Sequence, residues 1–303
     1  MNRREFVRSS ALLTASLALP VVWGHETKAG GAPDAVIAEG DPGPAVRAAI
    51  AGLGGIEQFV KKGDKVVVKP NMSFSNPPSW ATTTHPDVIK EIVSLCVAAG
   101  AGQVLVLDNT LRDREMCIEQ SGIAKACEVF PESRVLGLSE KKFFKDVPVP
   151  EGKELKSTAV MKDVLDANVV ISAPVAKSHS SAGVSLSMKN MMGVVYDRAV
   201  FHTLYDLHTA IVDLCTVAKA HLTVVDATRL LSTGGPGGPG KVLQPRKVIA
   251  STDMVAADAI TVDMGEWYGR KFEPGQVKHI REAHERGLGR MDIDKLNIKQ
   301  VQA

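Results

Sequence analysis

The chain has 303 residues, a net charge of +2 and 45% hydrophobic residues, enough apolar material for a full α/β core. Near-balanced charge and only 5% aromatic residues argue against a nucleic-acid partner and against a base-stacking platform. The four cysteines, Cys96, Cys117, Cys127 and Cys215, form no C-x-x-C pair, so no iron–sulfur cluster or zinc ribbon is expected.

The N-terminus reads Asn2-Arg3-Arg4-Glu5-Phe6-Val7-Arg8, followed by the apolar run Ala11–Trp23. The run is too short to span a bilayer and follows a basic segment, which is the layout of a signal peptide. Paired arginines with Phe6 two places on resemble a twin-arginine signal, which predicts the export machinery as a partner and a periplasmic or otherwise exported location. Val22 and Gly24 offer small residues for cleavage after residue 24. No A-x-A site is present, which leaves retention as an uncleaved anchor open. No other segment is apolar for long enough to cross a membrane, so the mature chain is expected to have no span.

Residues 25–44 read as a linker with one short strand, Ala35–Ala38, and residues 45–303 as a single α/β domain. Helical periodicity runs from Val46 to Val60. Lys65–Lys69 (KVVVK) is a β-branched run of the kind buried on both faces of a sheet. After the loop Asn71–Thr84, Pro86–Ala99 predicts a helix: Pro86 suits the first turn, and Ile89, Ile92, Val93, Cys96 and Ala99 make one stripe. Cys96 falls on this apolar face, and Cys215 reads likewise as a buried thiol. Val104–Leu107 is the next strand. Glu115–Val129 is helical with a break near Gly122, and Cys117 and Cys127 within it could pair in an oxidising compartment. Phe130–Ala159, with three prolines, leaves room for a small lobe or edge hairpin. Asn168–Ser172 is a strand and Thr203–Lys219 a helix. Leu222–Val225 and Lys247–Ala250 are strands, and Asp253–Met264 and Gln276–Glu285 are helices. The alternation predicts an α/β fold, a mostly parallel sheet with helices on both faces.

The predicted strands run out into polar residues: Lys69 and Asn71, Asp108 and Asn109, Lys177 and His179, Asp226, and Ser251 to Asp253. Ligands of open parallel sheets bind beyond the carboxyl ends of the strands, so these exits predict one shared crevice. The segment Asn168–Val195 is the richest: past Pro174 a loop carries Lys177, Ser178, His179, Ser180 and Ser181, and the apolar stretch beyond it carries Lys189 and Asn190. The length of Asn71–Thr84 marks a functional loop, and its threonines up to Thr84 could hold an anion at the following helix N-terminus or simply cap it together with His85. Gly235–Lys241 has the G-x-x-x-x-G-K spacing, but Val242 and two prolines disqualify it as a P-loop, and a flap over the crevice is the expectation. His202 and Asp206, four apart, read as a salt-linked helical pair, and Asp258 as a carboxylate that needs a buried partner. His221, His279 and His284 carry no usable pattern.

These residues point to a small anionic ligand, held by Lys69, Lys177 and Lys189 with Asn71, Thr84 and Asn190, and to His179 and Lys177 as catalytic groups oriented by Asp108 or Asp226. A non-catalytic binding or delivery protein, and metal-dependent chemistry on His85, His179, Asp108 and Asp226, are the alternatives. The segments KPN (Lys69–Asn71), TTHP (Thr83–Pro86), KSH through MKN (Lys177–Asn190), VVDA (Val224–Ala227), the glycine-rich loop and STDMVAADA (Ser251–Ala259) resemble the domain of unknown function 362 family. The resemblance implies an α/β domain in a redox or cofactor-related setting. It supplies no reaction, and the cysteine runs of its iron–sulfur members are missing here.

Overall fold

Val66, Val67 and Val68 alternate between two apolar clusters, which is why this run of β-branched residues becomes a central strand. The computed structural model describes residues 31–303, and the export-signal reading of residues 1–24 lies outside them. Thirteen strands are found among the described residues: β1 (Ala35–Glu39), β2 (Lys65–Pro70), β3 (Gln103–Asp108), β4 (Ser133–Gly137), β5 (Phe144–Pro148), β6 (Ser157–Met161), β7 (Val169–Ala173), β8 (Val175–His179), β9 (Gly183–Ser185), β10 (Leu222–Leu231), β11 (Val242–Leu243), β12 (Lys247–Ser251) and β13 (Ile298–Gln302). The helices are α1 (Pro42–Gly52), α2 (Pro86–Ala98), α3 (Arg114–Ser121), α4 (Ile123–Cys127), α5 (Lys162–Leu165), α6 (Ser187–Asn190), α7 (Val200–Thr203), α8 (Leu207–Val217), α9 (Met254–Met264) and α10 (Lys278–Glu285).

The main sheet follows the order β13-β1-β12-β10-β7-β2-β3-β4. Its pairings are parallel except those of β12, which runs against both β10 and β1. Helices α1 and α2 cover one face, through Val46, Ile50, Ile89 and Ile92, and α8, α9 and α10 cover the other, through Ile211, Leu214, Ile260 and Ile280. The fold is thus α/β, with a mostly parallel central sheet layered by helices on both faces. Among the described residues no helix is long and apolar enough to cross a membrane.

The structure revises several sequence expectations. Strand β1 is not a linker strand: it sits inside the sheet between β12 and β13. The half-exposed pattern of β13 hid it among polar residues. Part of the irregular region joins the main sheet as β4, while β5 and β6 form a separate antiparallel pair. The helix expected over Thr203–Lys219 is split at Leu204–Asp206, where Asp206 accepts hydrogen bonds from the amides of His208 and Thr209 and starts α8 afresh. Most consequentially, the residues past Pro174 are not a loop. They form β8, which pairs with β9 and with the second half of β10.

Because β12 is reversed, its exit at Ser251 lies at the opposite rim from the other strand ends, with Thr223 as its partner and Lys247 opposite Ala227. Ser251, Thr252 and Asp253 therefore do not join the crevice. Asp253 instead caps α9, its Oδ1 accepting from the amides of Val255 and Ala256.

Candidate functional site

Strands β2 and β7 stay paired as far as Pro70 and Ala173 and then part. The chain leaving β2 enters the Asn71–Thr84 loop, and the chain leaving β7 becomes β8 beside β10. A cleft of about 370 Å³ opens where they diverge, walled by Lys69, Asn71, Lys177, His179, Lys189 and Asn190 and by several residues of the Met192–His202 stretch. This is the carboxyl rim of the parallel strands.

Lys69 closes the floor. Its ammonium lies 3.1 Å from Asp108 Oδ1, and both side chains are almost wholly buried. It also donates to Asn190 Oδ1 at 2.9 Å and to the carbonyl of Pro70. Asp108 Oδ2 accepts from the amide of Met72 and the hydroxyl of Ser73, so the carboxylate sits behind Lys69 rather than in the wall of the cleft. Burial holds the Lys69 pKa below 10.5, with Asp108 opposing the shift. Gly193 passes directly over this pair: a side-chain carbon there would collide with Asp108 Oδ1 and Lys69 Cε.

Asn71 and Asn190 complete a polar floor. Asn71 Oδ1 accepts from the amide of Val175 at 3.0 Å, and its Nδ2 donates to Asn190 Oδ1 at 2.9 Å. Asn190 Nδ2 in turn donates to the carbonyl of Lys69 and to Ser172 Oγ. The helix α6 that carries Lys189 and Asn190 is anchored from below by Asp258, which accepts from the amides of Ser187 and Met188 at 2.7 and 2.9 Å. The buried partners of Asp258 are therefore backbone amides rather than a lysine. Burial raises its carboxyl to about 8 against the pull of those two bonds.

Lys177 and His179 alternate with Ser178 along β8, so both face the cleft while Ser178 meets the glycine-rich loop, accepting from Gly235 N. Lys177 Nζ donates to the carbonyl of Thr82 at 2.7 Å and lies 5.2 Å from the centre of the Phe74 ring. Among the described residues, Lys189 Nζ has only Met192 Sδ, at 3.4 Å, within hydrogen-bonding reach. Burial and neighbouring cations bring both lysines from 10.5 down to about 7. His179 Nδ1 accepts from the amides of Ser181 and Ala182, at 3.2 and 3.3 Å. Burial, Lys189 and His202 push its pKa down to about 2. The ring is accordingly neutral with its proton on Nε2, a hydrogen-bond donor to the cleft.

Two predicted site residues lie elsewhere. Thr84 does not line the cleft: its hydroxyl donates to the carbonyl of Ala173 and accepts from the amide of Asn71, tying the loop to β7. Asp226 does not line it either. It accepts from the amide of His85, the amide and hydroxyl of Thr228, and the guanidinium of Arg229, bracing an irregularity in β10. His85 caps α2 through Nδ1. His85 and Asp226 thus meet away from the cleft that His179 lines, Asp108 is taken up by Lys69, and among the described residues no group of three His, Cys, Asp or Glu is arranged to hold a metal ion.

Sequence reasoning passed over Phe74, Arg198 and the true setting of His202. Arg198 donates to Ser73 Oγ and to the carbonyl of Asn109 at the cleft wall. His202 stacks on His179 with ring centres 5.8 Å apart and planes within 9°. It sits on α7, not on the helix of Asp206, so the four-residue spacing between them had no meaning. The glycine-rich loop meets the cleft through Pro236, and its Gly237 carbonyl accepts from Asn76. Lys241 pairs with Glu266 at the surface, away from the cleft wall. Cys96, Cys117, Cys127 and Cys215 are all free and buried. Burial raises Cys96 and Cys127 to about 12 and Cys117 to about 11.

The chain is an α/β domain with a cleft at a divergence of strands, framed by buried lysines and amides. The chain belongs to the family described as Domain of unknown function (DUF362), which matches residues 66–263. It is similar to a thylakoid-associated protein of Synechocystis sp., with 25% identity over 228 residues, covering 72% of this chain and 68% of that protein. Among solved structures it resembles the lactate racemase apoprotein of Thermoanaerobacterium thermosaccharolyticum (11% identity, TM-score 0.46, covering 72% of this chain and 54% of that one). It also resembles a Thermotoga maritima protein (14% identity, TM-score 0.40, covering 62% and 51%). The chain spans about half the length of each of these solved structures.

Proposed function

We propose that this protein is an exported enzyme, carried by the twin-arginine machinery to the periplasm, that acts on a small organic anion by proton transfer in the cleft. One observation carries the reading: among the described residues no oxygen accepts from the buried amine of Lys189, whose pKa is about 7. Leaving an ammonium so placed is costly unless a ligand answers it. An amine titrating near neutrality is also matched to general acid–base work. In this reading Lys69, Asn71 and Asn190 form the fixed floor and Asp108 holds Lys69. The neutral His179 donates from Nε2 to a substrate oxygen that gains charge. The free amine of Lys189 or Lys177 takes a proton from the substrate and returns it.

The test uses the purified chain without residues 1–24. A thermal-shift survey of small carboxylates and phosphate esters is expected to find stabilising ligands. NMR in deuterium oxide then follows hydrogen exchange or conversion of each ligand, which Lys189→Met and His179→Gln should abolish. Saturable binding with no exchange or conversion would make the protein a carrier instead. Absence of any stabilising anion would overturn the reading altogether.

A further inference from the structure

We propose that the head of the cleft's ligand carries two negative charges, as a dicarboxylate or a phosphoryl-type group does, and that the cleft discriminates against monocarboxylates. The inference rests on the anion-binding reading above and narrows it to a substrate class.

The charge balance of the walls is the first ground. Four cations line the cleft: Lys69, Lys177, Lys189 and Arg198. Lys69 is answered by Asp108 at 3.1 Å. The one carboxylate among the lining residues, Asp197, is exposed and accepts from the amide of Ala199. Among the described residues, no carboxylate lies within ion-pair distance of Lys177, Lys189 or Arg198, so three positive groups face the space without one.

Unspent hydrogen-bond capacity is the second. An ammonium has three donors and a guanidinium five. Lys177 spends one donor on Thr82, Arg198 reaches Ser73 and Asn109, and Lys189 has only a thioether. These are not mobile surface lysines: Lys177 is 2% exposed and Lys189 is 7% exposed. A single carboxylate has two oxygens and one charge, and would leave two of the three cations facing each other in a poorly hydrated space. A head with two charges meets two of them and leaves one residual charge. It also offers enough oxygens for the Nε2–H of His179 to join. Burial is the largest cause of the low Lys177 pKa, and Lys69, Lys189 and Arg198 lower it further, a mutual repulsion that agrees with this.

The experiment is isothermal titration of the chain without residues 1–24 at pH 6.5, where Lys177 and Lys189 are mostly charged, with acetate, malonate and sulfate at constant ionic strength. Malonate or sulfate is expected to bind at least about tenfold tighter than acetate, and Lys189→Met to reduce that ratio to about threefold or less. Lys177→Met replaces Lys189→Met if the latter is not folded by circular dichroism. Tight malonate with weak sulfate identifies a dicarboxylate head, and the converse a phosphoryl-type head. Acetate binding within about threefold of both dianions would overturn the two-charge head while leaving an anion cleft standing. If none of the three binds, both readings fall.

Discussion

Replacing Lys189 with methionine should make the protein more stable and useless for binding, and the gain should depend on pH in a defined direction. The Lys189 amine is buried against Met192, and its pKa falls from 10.5 to about 7 in the folded state. Below pH 7 both folded and unfolded chains carry the proton, and the folded state bears the full cost of an unanswered buried charge. Between pH 7 and 10.5 the unfolded state alone stays protonated, so folding releases a proton and the cost shrinks as pH rises. Above 10.5 it is gone. With about 1.4 kcal/mol per pKa unit, the ceiling on this cost is about 5 kcal/mol at pH 6 and about 1 kcal/mol at pH 10. Replacements of buried charges by apolar residues commonly return about 1–4 kcal/mol. Lys189→Met should therefore gain a few kcal/mol at pH 6 and little at pH 10, read by urea denaturation at both values. An equal change in stability at the two pH values, or a loss at pH 6, would refute the view that Lys189 is a buried cation kept for a ligand.

Two further outcomes follow from the floor and from the histidine. Asp108→Asn removes the carboxylate paired with Lys69 and should cost about 3–5 kcal/mol, measured by denaturation, because it strands a buried ammonium. The His179 ring should stay neutral, with its proton on Nε2, throughout pH 5–8 in long-range nitrogen–proton NMR spectra, since Nδ1 is held by two amides and nearby cations oppose a charge on the ring.

The layered body was legible because its signals are local. KVVVK, the stripe of α2 and the Gly122 break each follow from periodicity or backbone freedom, and the structure keeps them within a residue or two. What could not be read were facts of direction and distance. Lys247–Ser251 reads as a strand in either orientation, and nothing in those five residues announces that β12 runs backwards, so its exit was assigned to the wrong rim. Polarity misled at Val175–His179: a strand bearing Lys, Ser and His resembles a loop until its partners, β9 and β10, are known. Thr84 and Asp226 were grouped with the cleft because they follow or end strands. Their polar atoms turn out to be used up on Ala173, His85, Thr228 and Arg229. Arg198 had no local signature, since its importance lies in reaching Asn109 from a segment 89 residues away.

The exchange of partners at Pro174 explains why the charges collect where they do. Strand β10 pairs with β7 at Leu222 and Thr223, then with β8 from Asp226 onward, across an irregularity in its own backbone. On the other side of β7, β2 stays paired only as far as Pro70, so the strand leaving Pro174 loses that neighbour while it keeps β10. The backbone amide of Val175 on that vacated side is met by Asn71 Oδ1, a side chain standing in for the missing strand. That amide side chain fills one position of the ladder, and from Lys177 onward β9 takes up the pairing. The side chain of Lys177, two residues further on the same strand, faces the cleft that opens where β2 has left. Asn71 in the floor and Lys177 in the wall both follow from one event, the parting of β2 from β7. A hydrophobic residue at position 71 would leave the Val175 amide unsatisfied as well as emptying the floor, so the site and the sheet beneath it stand or fall together.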